Sequence, residues 1–193
     1  MSYNSIIICG PTATGKSDLA EFLAARFSVP IVNMDSRQVY KDVPIVSGAE
    51  KSFGTQYLSP DQSPNVSQFT IDAWQFAKEN HNNSILPIVV GGTGLYLKAF
   101  ATPLPDIAKK HNSDLRLKLS QKTASELQKI LLELDPTSLD KINNSDRNNP
   151  RRLIRKIEIL QDETKPVLPY FSLQKSTSFY WLGLKCDPTV LNQ

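Results

Sequence analysis

Apolar residues follow two rhythms along this chain. Short β-branched runs alternate with helical spacing over the first hundred residues, and beyond Asp106 only the helical spacing continues. Ser5 to Cys9 is an Ile-rich run stopped by Gly10-Pro11. An unbroken apolar run of that length predicts a strand buried on both faces, as in a parallel sheet. From Lys16 the residues Leu19, Phe22, Leu23 and Phe27 recur at helical spacing, and Pro30 to Met34 supplies a second strand. Strand, glycine turn, helix and strand make a βαβ unit. Ser67 is placed to cap a helix running to about Asn80, with Phe69, Ala73, Phe76 and Ala77 on its inner face. Ile85 to Val90 predicts a third core strand, ended sharply by Gly91-Gly92-Thr93-Gly94, with a short helix following through Phe100.

Asp42 to Asn65 is polar and rich in Ser, Pro and Gly, which predicts an irregular functional connection with at most a short strand near Ile45-Val46. The Pro103 and Pro105 pair divides the chain. After it Leu115, Leu117 and Leu119, then Leu127, Ile130, Leu131 and Leu134, Leu139 and Ile142, and finally Leu153 to Leu160 keep the helical period. Phe179 to Leu184 reads as a last strand returning to the sheet. The predicted organisation is α/β: a core over residues 1–105, a helical insert over 106–173, and a returning strand within 174–193. A last strand with no helix after it is expected to expose apolar surface.

Composition removes several classes. With 193 residues, 40% hydrophobic, 21% charged, 8 Gly and 13 Pro, the chain lacks the excesses of collagen, coiled coils or disordered polymers. A formal charge of +3 is too small a bias to prove a nucleic-acid partner by itself. Cys9 and Cys186 match neither a disulfide framework nor a metal spacing, which points to a reducing cytoplasm. Ile6 to Cys9 is too short for a signal core or a membrane span, so no membrane insertion is expected.

The residues Gly10, Pro11, Thr12, Ala13, Thr14, Gly15, Lys16 and Ser17 satisfy G-x-x-x-x-G-K-[ST] between a strand and a helix. Such a loop folds backbone N–H groups around phosphate oxygens at a helix N-terminus. Lys16 adds a point charge and Ser17 a magnesium-ligating hydroxyl. The fold class is thus a P-loop NTPase-like parallel sheet flanked by helices. Asp35 follows the second strand on the same sheet edge, where it can take a proton, cap a helix or support a metal. After Ile88-Val89-Val90 no carboxylate follows, and no Asn-Lys-x-Asp occurs, so an ordinary hydrolase cycle is not expected. On Pro150 to Ile157, with Asn149 as cap, Arg151, Arg152, Arg155 and Lys156 fall within about 140° of arc at 100° per residue, opposite Leu153, Ile154, Ile157 and Leu160. One face is cationic and suits a phosphate backbone, although such stripes are also ordinary solvated faces. His81 and His111 have no partners at ligand spacing, and Trp74, Phe69 and Phe76 read as core.

In this order and spacing, GPTATGKS, DSRQVY, GGTGLYLKA and NNPRRLIRKIEIL resemble the tRNA dimethylallyltransferase (tRNA isopentenyltransferase) family, from Ile6 to about Lys165 and weakly through Trp181 to Leu184. The resemblance implies a cytoplasmic, monomeric transferase whose helical insert binds the anticodon arm of tRNA. It would move a dimethylallyl group from dimethylallyl diphosphate to the exocyclic amine of the adenosine at tRNA position 37, with magnesium as cofactor. Carried over residue by residue, Asp35 becomes the general base, and Thr12 and Lys16 join it as catalytic groups on the diphosphate. Gly10 to Ser17 hold the diphosphate and Ser17 the metal. Asp35, Ser36, Arg37, Gln38, Thr93, Arg116, Arg151, Arg152, Leu153, Ile154 and Arg155 map onto tRNA contacts.

The sequence also departs from that pattern. Family members continue past the point matching Asp187 into helices that add tRNA contacts and a cation for the diphosphate, and the connection from Ser47 to Asn65 lacks their basic, His-containing stretch. Three other readings compete. A prenyltransferase of free adenine nucleotides would not need the cationic helix; a small-molecule kinase would turn over ATP; a binding remnant would hold tRNA or diphosphate without turnover.

Overall fold

The computed structural model describes residues 2–35, 40, 59, 61, 65–109, 111–164 and 170–187. Ser36, Arg37 and Gln38, and the connection with its expected strand near Ile45-Val46, lie outside them. In chain order the described elements are β1 (Tyr3–Cys9), α1 (Lys16–Phe27), β2 (Ile31–Asn33), α2 (Val66–Glu79), β3 (Ile88–Gly91), α3 (Gly94–Ala101), α4 (Pro105–Ala108), α5 (Ser113–Leu119), α6 (Ala124–Leu134), α7 (Asn144–Arg147), α8 (Pro150–Gln161), α9 (Phe171–Lys175) and β4 (Thr177–Gly183). They divide into two compact units, residues 1–104 with 168–193, and residues 105–167. None of the described helices is long and apolar enough to cross a membrane.

The first unit is built on a parallel sheet of order β2-β3-β1-β4. Ile7 and Ile8 are both fully buried, yet they belong to different cores. Ile7 packs with Val32, Phe69, Trp74, Val89 and Phe100, and Ile8 with Ala20, Ala24, Ile31, Ile88 and Val90. Successive side chains of a strand point to opposite faces, so a sheet covered on both sides needs the unbroken Ile run. Helix α1 meets the sheet through the small residues Ala20 and Ala24, with Leu19 and Leu23 flanking, whereas Phe22 is 68% exposed. Apolar spacing thus located the helix without giving the residues at its centre of contact.

Helix α2 is capped by Asn65, whose Oδ1 accepts from the Ser67 N–H at 2.9 Å. The expected cap, Ser67, lies inside the first turn. Trp74 is fully buried, donates through Nε1 to the Phe100 carbonyl at 3.0 Å and stacks on Phe100 at 4.5 Å, a core role. The third strand starts at Ile88 rather than Ile85. Pro87 has no N–H to give to a ladder, and Ile85 is turned into paired bonds with Asn82. Helix α9 belongs to this first unit, where Gln174 Nε2 donates to the carbonyls of Ala99 and Phe100. The second compact unit therefore ends at residue 167, while helical structure runs on through α9 to Lys175. On strand β4, which pairs with β1, Tyr180 (59%), Trp181 (49%) and Leu182 (39%) are exposed.

Gly91 marks where the strand tips that carry the site come closest. A Cβ there would stand 2.8 Å from the Met34 carbonyl oxygen and 2.9 Å from its carbon, both backbone atoms that cannot swing away. Gly91→Ala is expected to cost about 1–3 kcal/mol in denaturant unfolding, the usual range for overpacking. Unchanged unfolding would show that the tips are free to part.

The second unit has its own core of Leu119, Leu127, Leu131, Leu153, Ile154 and Ile157. Two caps fix its longer helices. Thr123 and Glu126 form a reciprocal capping box on α6, and Asn149 caps α8 with Pro150 in the first turn, as the sequence predicts.

Candidate functional site

Between β1 and α1 the phosphate-loop residues turn back over the end of the sheet. Gly15 takes φ 78° at the start of α1, and Ala13 takes φ 63°. Left-handed positions between right-handed ones turn successive N–H groups to one side, which forms an anion cradle. Thr14 Oγ1 and Lys16 Nζ both donate to the Pro11 carbonyl, so the loop is braced from within.

A cavity of about 370 Å³ opens above this loop. It is lined by Thr12, Ala13, Thr14, Gly15, Lys16, Ser17 and Asp18 from the loop and the start of α1, by Asn33 and Asp35 after β2, and by Val90, Gly91 and Gly92 from β3. Three strand ends thus meet at one place, as expected of ligand sites in parallel sheets. The Asp35 N–H donates to Oδ1 of the buried Asn33 at 2.9 Å, which fixes the chain as it leaves the sheet. Asp35 faces the glycine turn: a Cβ on Gly92 would lie 3.6 Å from Asp35 Oδ2. Burial pulls the Lys16 ammonium below its ordinary value, while the charges of Asp35 and Cys9 pull it back up. Anion loop, cation and carboxylate therefore share one partly desolvated space.

Gly10 and Pro11 are not among the lining residues, although the Pro11 carbonyl braces the loop. Thr93 follows the lining glycines directly and begins α3, its carbonyl accepting from the N–H groups of Tyr96 and Leu97. Among the described residues no three His, Cys, Asp or Glu side chains converge as a metal cage. The side-chain oxygens around the cavity are those of Thr12, Thr14, Ser17, Asp18, Asn33 and Asp35. An all-oxygen set of this kind fits magnesium, which takes one or two protein ligands and completes its shell with phosphate oxygens and water.

In the second unit the cationic helix behaves differently from its sequence pattern. Leu153 and Ile154 are 0% and 9% exposed and lie in the core. Arg151 and Arg152 are exposed, and Arg155 is only partly so. Glu158, one residue past Ile157 in the apolar stripe, is 3% exposed. It accepts from Arg116 Nε at 2.7 Å and Nη2 at 2.8 Å, from the Asn112 N–H at 3.0 Å and from Arg155 Nη1 at 3.3 Å. Burial pushes the Glu158 carboxyl up, but those bonds outweigh it and hold it below the usual carboxylate range. Burial and the neighbouring Arg116 and Arg155 push His111 down, consistent with Nδ1 serving as an acceptor for both guanidiniums. Residues 106–109, 135–146 and α8 enclose a second cavity of about 700 Å³, lined among others by Arg151, Arg152, Arg155 and Lys156.

Sequence reasoning missed Asn33 and Glu158. For Glu158 a signal existed: at 100° per residue it falls between Ile154 and Arg151, at the border of the apolar stripe, where a carboxylate beside Arg151 and Arg155 is set to pair.

Known proteins resemble the chain along its whole length. The isopentenyl transferase family model matches residues 3–58 and the IPP transferase model residues 38–193. A tRNA dimethylallyltransferase of Rickettsia massiliae is 35% identical over 88% of this chain and 49% of its own length. One from Carboxydothermus hydrogenoformans is 33% identical over 100% of this chain and 66% of its own. A solved eukaryotic dimethylallyltransferase acting on tRNA matches with a TM-score of 0.69 at 26% identity, over 99% of this chain and 51% of that one. The chain spans about half the length of the Rickettsia relative. Its parallel sheet flanked by helices is P-loop NTPase-like, as in these structural relatives. With the two family models together matching residues 3–193, and the phosphate loop and Asp35 on one sheet edge, the chain belongs to the IPP transferase family.

Proposed function

We propose that this chain transfers a dimethylallyl group from dimethylallyl diphosphate to the exocyclic amine of the adenosine at tRNA position 37. The observation that carries the reading is the cavity shared by the phosphate loop, Lys16 and Asp35. A glycine turn, with no carboxylate, follows β3 there, which favours a held leaving group over nucleotide hydrolysis.

In this reading the diphosphate lies in the loop. The adenine nitrogen attacks C1 of the dimethylallyl group, the C1–O bond breaks, and its electron pair departs with the diphosphate. The amine proton passes to the Asp35 carboxylate, which acts as general base. Lys16 and the loop N–H groups, with Thr12 at the rim, oppose the charge that develops on the leaving oxygen. Magnesium, held there by the Ser17 hydroxyl, supplies further charge neutralisation when bound. Ser36, Arg37, Gln38 and Thr93 would contact the extruded nucleotide, and the exposed cations of α8 the RNA backbone.

The test offers labelled dimethylallyl diphosphate and magnesium to three acceptors: unmodified tRNA, the same tRNA with guanosine at position 37, and adenosine monophosphate. Label is expected in the first alone. Equal labelling of the mononucleotide, unaffected by Arg151→Glu, would replace the reading with a nucleotide prenyltransferase, and ATP turnover would replace it with a kinase.

A further inference from the structure

The cations of the second unit differ in what already holds them. Arg155 Nη2 donates to the carbonyls of Asp106 at 2.8 Å and Lys109 at 2.9 Å, and its Nη1 faces Glu158 Oε2 and His111 Nδ1. Arg116 binds both oxygens of Glu158. Lys109 Nζ donates to the carbonyls of Ile159 and Asp162. Lys141 pairs with Asp135, whose carboxyl is held down to about 2, chiefly by the Thr137 hydroxyl and by Lys141. Arg152 pairs with Asp146. Among the described residues no carboxylate lies within ion-pair distance of Arg151 or Lys156.

We propose that Glu158 is a positioning residue of the RNA-binding face: it withdraws Arg116 and Arg155 from the RNA backbone and leaves Arg151 and Lys156 as the phosphate contacts, with Arg152 muted by Asp146. The inference rests on the tRNA reading above. A guanidinium shared with a buried carboxylate cannot turn to a phosphate without stranding that carboxylate in the core. Only a cation whose charge is not already compensated releases counterions when RNA binds. The bonds of Arg155 and Glu158 tie Asp106, Lys109 and Asn112 to α8, and Asp106 and Lys109 line the cavity that Arg151, Arg152 and Lys156 also line. Glu158 thus sets both which cations are available and where the facing wall stands.

The experiment is a titration of the full chain with unmodified tRNA across a salt series, reading the slope of log affinity against log salt. Arg151→Gln and Lys156→Gln are each expected to lower the slope by about one. Arg155→Gln should leave the slope at the wild-type value while lowering Tm, because its role lies inside the protein. Asp146→Asn, at an ion pair outside the core, should steepen the slope by freeing Arg152, a gain that loss of structure does not produce. That variant keeps the test readable if Arg155→Gln fails to fold. A slope lowered by Arg155→Gln or Arg116→Gln as much as by Arg151→Gln overturns the proposal, as does an unchanged slope in Asp146→Asn. Wild-type binding without salt dependence would overturn the tRNA reading itself, an outcome distinct from either.

Discussion

Asp35→Asn is expected to reduce the turnover of prenyl transfer by roughly 10²–10⁴-fold, the span usual for removal of a general base. The substitution keeps the size and hydrogen-bonding shape of the side chain, and the backbone bond from the Asp35 N–H to Asn33 Oδ1 needs no carboxylate. Folding, tRNA affinity and diphosphate affinity should therefore change little, and the loss should fall on kcat rather than KM. Position alone allows the blander roles of helix cap or metal support. Those roles make a different forecast: loss of stability for a cap, or weaker magnesium dependence for a metal partner, with turnover restored at high metal concentration. An unchanged kcat in Asp35→Asn would remove the residue from the chemistry.

Lys16→Ala should cost about 10²–10³-fold in kcat, comparable to deleting one preorganised donor at a developing negative charge. Its ammonium is partly desolvated, which raises the electrostatic value of the charge it carries. Its ammonium donates to the Pro11 carbonyl within its own loop, which Thr14 also braces. The apo fold should therefore survive the change, with Tm close to wild type. Diphosphate affinity should fall as well, but by less than turnover, since the charge meets the bound diphosphate and opposes the charge that develops on it more strongly still. Full activity in Lys16→Ala would place the diphosphate outside the loop.

Local signals carried most of the architecture. The Ile run before Gly10-Pro11 announced a strand covered on both faces, and Asn149-Pro150 announced the start of α8, because each depends on chemistry within a few residues. Errors arose where two locally competent outcomes compete. Ile85 lies outside the strand because Pro87 interrupts the ladder and Asn82 claims its backbone. Asn65 takes the cap from Ser67, since both are competent caps and only the path of the incoming chain separates them. Small Ala20 and Ala24 win the sheet contact over Phe22 because close approach of helix and sheet favours small side chains.

The candidate site divides in the same way. The phosphate loop was legible because its letters and its flanking strand and helix agree, and Asp35 because a strand tip in a parallel sheet points to the ligand edge. The cationic helix was legible as a stripe, but its pairing was not. Arg155 meets Asp106, Lys109 and His111, more than forty positions away in sequence, and helical periodicity holds no information about such partners. Leu153 and Ile154, within the five-residue stretch Arg151 to Arg155, are held by a core that the contact motif alone does not reveal.

That this chain moves a dimethylallyl group is tested most directly by mass spectrometry of the nucleoside at position 37, after unmodified tRNA is incubated with the chain, dimethylallyl diphosphate and magnesium. The expected result is dimethylallyl-adenosine with wild type, and none above background with Asp35→Asn or Lys16→Ala in the same time. Unmodified adenosine at that position with wild-type chain that is folded and bound to tRNA would contradict the account.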